Sequence, residues 1–168
     1  MAQTVVVTFY SRRGETERLA TAAAVGAVQA RAGIRMRRLP DADPAATLAR
    51  YPDAVEPLRR MQKEYVAPRE ADLIAADALI VGLPDDMSPA SAECAPFFDL
   101  LSRLHADGKL AGKAAASVGR GAALESVARA LREAGLRVVT PDAADGSDVD
   151  GAIALGRRVV AEAAALKR

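Results

Sequence analysis

Apolar residues fall along this chain in two kinds of pattern. Thr4 to Phe9 (TVVVTF) and Ala78 to Leu83 (ALIVGL) are short, unbroken runs without polar alternation, the pattern of strands buried on both faces. Other apolar residues recur at helical spacing. Residues 15 to 32 are alanine-rich, carry Leu19, Val25 and Val28, and are followed by Gly33, so they predict a helix with a glycine at its stop. Ile34 to Leu39 alternates apolar and basic residues and predicts a strand near a sheet edge, followed by a turn at Pro40 to Pro44. Between 45 and 76 the pattern weakens, and only Val55, Leu58, Met61 and Tyr65 mark a short helix.

The second half is more regular. Cys94, Phe97, Phe98, Leu101 and Leu104 form a helical stripe. Ala114 to Val118 is a small-residue strand running into Gly-Arg-Gly. Leu124, Val127, Ala128 and Leu131 mark a helix ending at Gly135, and Leu136 to Thr140 is a strand stopped by Pro141. Val149, Ile153, Val160 and Ala163 mark the last helix. Two helix exits read alike, Ala32-Gly33-Ile34-Arg35 and Ala134-Gly135-Leu136-Arg137, and predict equivalent turns.

Strands and helices thus alternate, which predicts one α/β domain over residues 1–168, with a parallel sheet covered by helices on both faces. For five strands the common order is 2-1-3-4-5. Ligands then bind at the carboxyl ends of the strands, where the order reverses between the first and the third. Three loops should meet there: Tyr-Ser-Arg-Arg-Gly-Glu-Thr (10 to 16), Pro-Asp-Asp-Met-Ser-Pro (84 to 89) and Gly-Arg-Gly-Ala-Ala (119 to 123).

Composition narrows the possibilities. A net charge of +1 argues against a nucleic-acid partner. No apolar run reaches the roughly 18 residues of a membrane span, and no signal peptide opens the chain, so the cytoplasm is expected. Cys94 is the single cysteine, so there is no internal disulfide and no metal is expected. Cys94 lies on the stripe with Phe97 and is either a redox thiol or core filling. Only four of the 23 basic residues are lysines, and alanine is abundant, the bias of a GC-rich genome, so any one arginine says less than usual.

The first loop carries the most chemistry. A Ser-x-x-Gly-x-Thr segment entering a helix aims backbone N–H groups and two hydroxyls at one spot, where the helix dipole adds positive potential. Ser11, Arg12, Arg13, Gly14, Glu15 and Thr16 are therefore candidates for a phosphate monoester site. An ordinary strand-to-helix turn capped by Thr16 is the alternative.

Tyr10 to Ala20 (YSRRGETERLA), Ala76 to Pro84 (ADALIVGLP) and Phe97 to Ser117, which includes Gly112-Lys113, resemble in order the corresponding segments of the flavodoxin-like family. They are most similar to the WrbA-type NAD(P)H:quinone oxidoreductases. The resemblance implies a flavodoxin-like three-layer sandwich, an FMN cofactor and a homo-oligomer (dimer or tetramer). It also implies two-electron reduction of a quinone by NADH or NADPH. In that picture the flavin carries the chemistry, and no catalytic dyad or metal is needed. Pro84, Asp85, Asp86, Met87, Ser117, Gly119, Arg120 and Gly121 would surround the flavin beside the first loop, and His105 is a candidate substrate contact.

Several positions depart from the family pattern. Asp85-Asp86-Met87 stand where it has Thr-Arg and an aromatic, and Arg13 replaces an aromatic. His105 stands at a tryptophan position and Ala134 at a histidine position, and the loop after the fourth strand is shortened. Two acids near a phosphate dianion oppose it unless paired, and Arg12, Arg13 and Arg120 are the available partners. The alternative function is a flavodoxin-like domain that has lost or weakened flavin binding and acts through protein contacts. A phosphorylation receiver has the same strand order, but it needs an acidic pair after the first strand, where this chain has Tyr10-Ser11.

Overall fold

The computed structural model describes residues 2–139 and 147–168. Five parallel strands, β1 (Thr4–Phe9), β2 (Gly33–Arg38), β3 (Ala78–Leu83), β4 (Ala114–Gly119) and β5 (Arg137–Val138), form one sheet in the order β2-β1-β3-β4-β5. The register sets Thr4 beside Gly33, Val5 beside Ala78 and Ala78 beside Ala114. The expected order holds, with β2 at an edge. Thr140 and Pro141, the expected end of the last strand, lie outside the described residues.

Side chains alternate across the sheet and build two cores. Val5, Val7, Phe9, Ile80 and Ala116 face α1 (Glu15–Gln29) and α7 (Val149–Ala165). Val6, Tyr10, Leu79, Val81 and Ala115 face the other way, against Phe97, Leu101 and Leu104 of α5 (Ala95–Ala106) and Val127 and Leu131 of α6 (Gly121–Glu133). The β3 and β4 strands are buried throughout, as unbroken apolar runs require.

The weakly patterned insert folds into three short helices, not one: α2 (Pro44–Arg50), α3 (Val55–Glu64) and α4 (Glu70–Ala75). Their caps and ion pairs supply what periodicity lacks. Asp43 caps α2 by accepting from the Ala46 N–H at 3.1 Å. In α4 the fully buried carboxylate of Asp72 collects Arg37 at 2.9 Å, Arg35 at 3.1 Å and Arg69 at 3.5 Å.

The two similar helix exits are not equivalent. Both use the same pair of closing hydrogen bonds, but the left-handed residue is Arg31 (φ 67°) after α1 and Gly135 (φ 79°) after α6. The α1 helix ends two residues earlier than its twin, so Gly33 becomes the first residue of β2 and an arginine takes the strained place.

Candidate functional site

Tyr10 leaves β1 with its N–H donating to the Gly82 carbonyl at 3.0 Å. The chain then closes a turn, the Gly14 N–H donating to Ser11 Oγ at 3.0 Å. Gly14 holds φ 97°, a left-handed conformation that costs a residue with a side chain about 1 kcal/mol. From this turn α1 starts with no side-chain cap. The N–H groups of Glu15, Thr16 and Glu17 therefore have no intrahelical acceptor, and among the described residues no other backbone acceptor takes them. Gly82 sets how closely they approach the sheet. A Cβ there would lie 2.9 Å from Val118 Cγ2 and 3.1 Å from Thr16 Cγ2, so only glycine lets the first turn of α1 rest on the strand ends.

Those amides border a cleft of about 890 Å³, within the range of roughly 300–1,000 Å³ usual for small-molecule sites. Its walls are Ser11, Arg12, Arg13, Glu15 and Thr16 from the first loop, Leu83, Pro84, Asp85 and Asp86 after β3, and Gly119 and Arg120 after β4. The three loops meet at the carboxyl edge of the sheet, as a parallel sheet dictates. Arg18 and Leu19 of α1 and the start of α7 (Asp148, Val149, Asp150) complete the lining. Sequence reasoning passed over these last residues. The Ser147-Asp148 pair before the last helical stripe is an N-cap signal that marks where α7 starts, and a helix following β5 starts on the cleft side. Asp148 does act as that cap, accepting from the Gly151 N–H at 2.7 Å.

Charges around the cleft are largely spoken for. Arg12 donates to Asp86 at 3.0 and 3.2 Å, and its guanidinium lies 4.6 Å from the centre of the Tyr51 ring. Burial works against the charge on Arg12, but Asp86 and then the tyrosines outweigh it and hold the guanidinium protonated. Arg13 pairs outward with Asp53 at 2.9 Å. Arg120 Nε donates to the Ser147 carbonyl at 3.0 Å, tying the β4 loop to the approach to α7. The acids at 85 and 86 thus part company: Asp86 neutralises Arg12, and Asp85 stands over Gly121.

Gly14 shapes the turn without lining the cleft, and four other expected site residues lie elsewhere. Ser117 is buried and donates to the Leu124 carbonyl at 2.9 Å, bracing α6. Gly121 opens α6 behind Asp85 and does not line the cleft. Met87 faces a second cavity of about 460 Å³, beyond the Arg12–Asp86 pair and beside Tyr51. His105 is near the end of α5, where its ring fills the space over Gly135; a Cβ on that glycine would be 2.5 Å from the imidazole. That end of α5 leads into the amino end of β4, across the sheet from the cleft. Cys94 is fully buried, and burial pushes its thiol up to about 12, so it is core filling rather than a redox group.

The fold is flavodoxin-like. A flavodoxin, WrbA-like protein from Agrobacterium tumefaciens superposes with a TM-score of 0.65 at 22% identity, covering 98% of this chain and 99% of its own. A Streptococcus pneumoniae flavodoxin superposes with a TM-score of 0.61 at 18% identity, covering 96% and 98%. Residues 5–145 match the NADPH-dependent FMN reductase family, and the chain belongs to that family. A protein of Archaeoglobus fulgidus named NAD(P)H dehydrogenase (quinone) is 33% identical over 67% of this chain and 58% of its own length. A protein of the same name from Cupriavidus metallidurans is 37% identical over 65% of this chain and 52% of its own. The chain therefore spans little more than half the length of these relatives.

The cleft suits FMN unevenly. Its phosphate end offers the uncapped first turn of α1, the Thr16 side chain and nearby arginines, the donor set for a dianion. Its apolar lining is Leu19, Leu83, Pro84 and Val149, and among the described residues no aromatic lines the cleft. A ring held there forgoes about 0.5–1.5 kcal/mol for each missing stacking contact.

Proposed function

We propose that this chain is an FMN-dependent oxidoreductase that reduces quinones by two electrons at the expense of NADH or NADPH. One observation carries the proposal: the uncapped start of α1 opens onto a cleft large enough for a phosphorylated ring system at the strand ends. The names of the Archaeoglobus and Cupriavidus relatives support the choice of donor and acceptor.

In this reading the amides of Glu15 and Thr16, with the Thr16 hydroxyl, hold the phosphate, and Ser11 shapes their turn. Pro84, Asp85, Gly119 and Arg120 border the ring. Bound FMN supplies hydride acceptance and donation, and the protein's part is to fix both ends and to keep water from the covered face. The same proposal has one flavodoxin-like domain assembling as a cytoplasmic dimer or tetramer. No helix among the described residues is long and apolar enough to cross a membrane.

The test is a titration of flavin-free protein with FMN and with riboflavin, followed by flavin fluorescence. FMN should bind more tightly than riboflavin. Ser11→Ala with Thr16→Ala should weaken FMN by about 10- to 150-fold, the loss of one hydrogen bond to a charged group, and leave riboflavin unchanged. Equal FMN affinity in wild type and double variant would show that the phosphate sits elsewhere.

Asp86 makes a second, smaller effect measurable. It is largely exposed, at 61%, and pairs with Arg12 at the cleft rim. Asp86→Asn should free Arg12 for an incoming dianion and tighten FMN by about two- to fivefold, the scale of an exposed ion pair. Weaker FMN binding in that variant would mean that Asp86 holds Arg12 where the ligand needs it.

A further inference from the structure

Beneath the first loop, outside the lining of the cleft, lies a buried charged cluster. Arg38, the last residue of β2, is only 3% exposed; Asp41 is 6% exposed, and Tyr10 is fully buried. Arg38 donates to the two Asp41 oxygens at 3.2 and 3.3 Å. Tyr10 Oη donates to Asp41 at 2.5 Å and Gln62 Nε2 at 2.8 Å, so one carboxylate gathers side chains from the end of β2, from α3 and from the first loop. The guanidinium also lies 4.9 Å from the centre of the Tyr10 ring. Burial opposes the Asp41 charge, but the hydrogen bonds from Arg38, Tyr10 and Gln62 outweigh it and hold the carboxyl below its ordinary range.

For stability alone such a cluster is a poor choice. Apolar residues of the same volume are commonly as stable as a buried ion pair, or more so. What apolar residues could not do is the cluster's remaining bond: Arg38 Nη2 donates to the Ser11 carbonyl at 2.9 Å. A trans peptide is planar, with its C=O and N–H pointing in opposite directions. Drawing the Ser11 carbonyl inward to Arg38 therefore turns the Arg12 N–H outward from the interior, and among the described residues no hydrogen bond takes that N–H. The same residue, Ser11, accepts from Gly14 and so sets the turn that leaves the amides of Glu15 and Thr16 uncapped. Ser11 thus links the buried cluster through its carbonyl to the Arg12 amide and through its hydroxyl to the turn before α1.

We propose that Arg38, clamped by Asp41, Tyr10 and Gln62, is the positioning residue of the anion-binding loop. It fixes the Ser11–Arg12 peptide so that the Arg12 amide joins those of Glu15 and Thr16 on a phosphate dianion. The proposal rests on the reading of the cleft as an FMN site, but its structural half can be tested without flavin.

Two variants of the full chain decide it, Arg38→Met and the milder Tyr10→Phe. Each is checked for a cooperative melt and then read in two ways. In ligand-free protein, hydrogen exchange at the amides of Gly14 and Arg18, the bonded N–H groups of the loop and the first turn of α1, should speed up about tenfold in Arg38→Met, as one charge-assisted hydrogen bond is lost, and by at least twofold in Tyr10→Phe. Exchange in β3 and β4 should not change. In flavin titrations the preference for FMN over riboflavin should fall about tenfold in Arg38→Met, with riboflavin affinity unchanged. Unchanged exchange in the loop of a folded variant overturns the proposal, as does an equal weakening of FMN and riboflavin, which is the mark of general damage. If Arg38→Met does not fold, Tyr10→Phe decides by the same criteria. If wild-type protein takes up no FMN, the flavin reading fails, and the exchange measurement still judges the clamp.

Discussion

Asp72→Ala should cost about 3 kcal/mol of stability at neutral pH, seen as a lower urea midpoint with the slope unchanged. The carboxylate is fully buried, and it is met by Arg37 at 2.9 Å, Arg35 at 3.1 Å and Arg69 at 3.5 Å. It also accepts from the Arg69 N–H at 3.0 Å, closing the first turn of α4. Removing it strands Arg37, only 15% exposed, against the sheet. Arg35 and Arg69 are 45% and 70% exposed and can return to water, which puts the cost at the low end of the roughly 3–5 kcal/mol for breaking a buried pair. A loss below 1 kcal/mol would mean that the edge strand does not depend on this anchor.

The same group sets an acid limb. Arg37 first, with backbone and further arginine contacts, holds the Asp72 carboxyl far below the ordinary carboxylate range. A carboxyl depressed in the folded state contributes stability that is complete above its unfolded pKa, near 4, and is lost as pH falls through its folded value. Asp41, Glu17 and Asp77 are shifted in the same direction. Urea midpoints should therefore be flat down to about pH 4 and fall steeply below it, and Asp72→Ala should have a shallower acid limb than wild type. Parallel limbs would remove Asp72 from the account.

Gly156→Ala should cost about 2 kcal/mol and lower the melting midpoint by about 4–8 °C. At Gly156 the two glycine-bearing helices α1 and α7 cross nearly backbone to backbone. A methyl group there would stand 2.9 Å from the Ala23 carbonyl carbon and 3.0 Å from the Ala27 nitrogen; one on Gly26 would stand 2.8 Å from the Ile153 carbonyl carbon. Backbone atoms cannot rotate away, so α7 must lift off and loosen the packing of Leu155 and Val159 in the core. Overpacking of this kind costs roughly 3 kcal/mol, and the better helix propensity of alanine returns roughly 1. Gly33→Ala is the control: nothing lies within 4 Å of the added carbon, and its effect should stay within about 0.5 kcal/mol. Equal melting of the two variants would show that the helices are not in close contact. Because α7 carries Asp148 and Val149 into the cleft, the same lift would also open the site at that wall.

Much of this architecture is legible along the chain, and the reason differs from residue to residue. TVVVTF and ALIVGL announce buried strands because a strand covered on both faces needs apolar side chains at every position. Once parallel strands alternate with helices, the loops at 10–16, 84–87 and 119–120 must share one edge, so the place of the cleft follows from topology. The insert was harder to read because α2 and α4 span seven and six residues, too few for a repeating stripe, and depend on Asp43 and Asp72. His105 was misplaced for another reason: a residue aligned to a family position says nothing about which end of α5 faces the sheet's carboxyl edge.

Local order was written in the chain: where the buried strands run and where the longer amphipathic helices lie. Backbone propensity and apolar periodicity act over a few residues, so they survive being read in one dimension. The partners of the charges were decided only in three dimensions. Nineteen arginines face 22 acids, and nothing nearby in sequence says that Arg12 takes Asp86, that Arg37 takes Asp72, or that Arg38 reaches back to Ser11. Coulomb attraction does not discriminate among acids, and proximity after folding makes the choice.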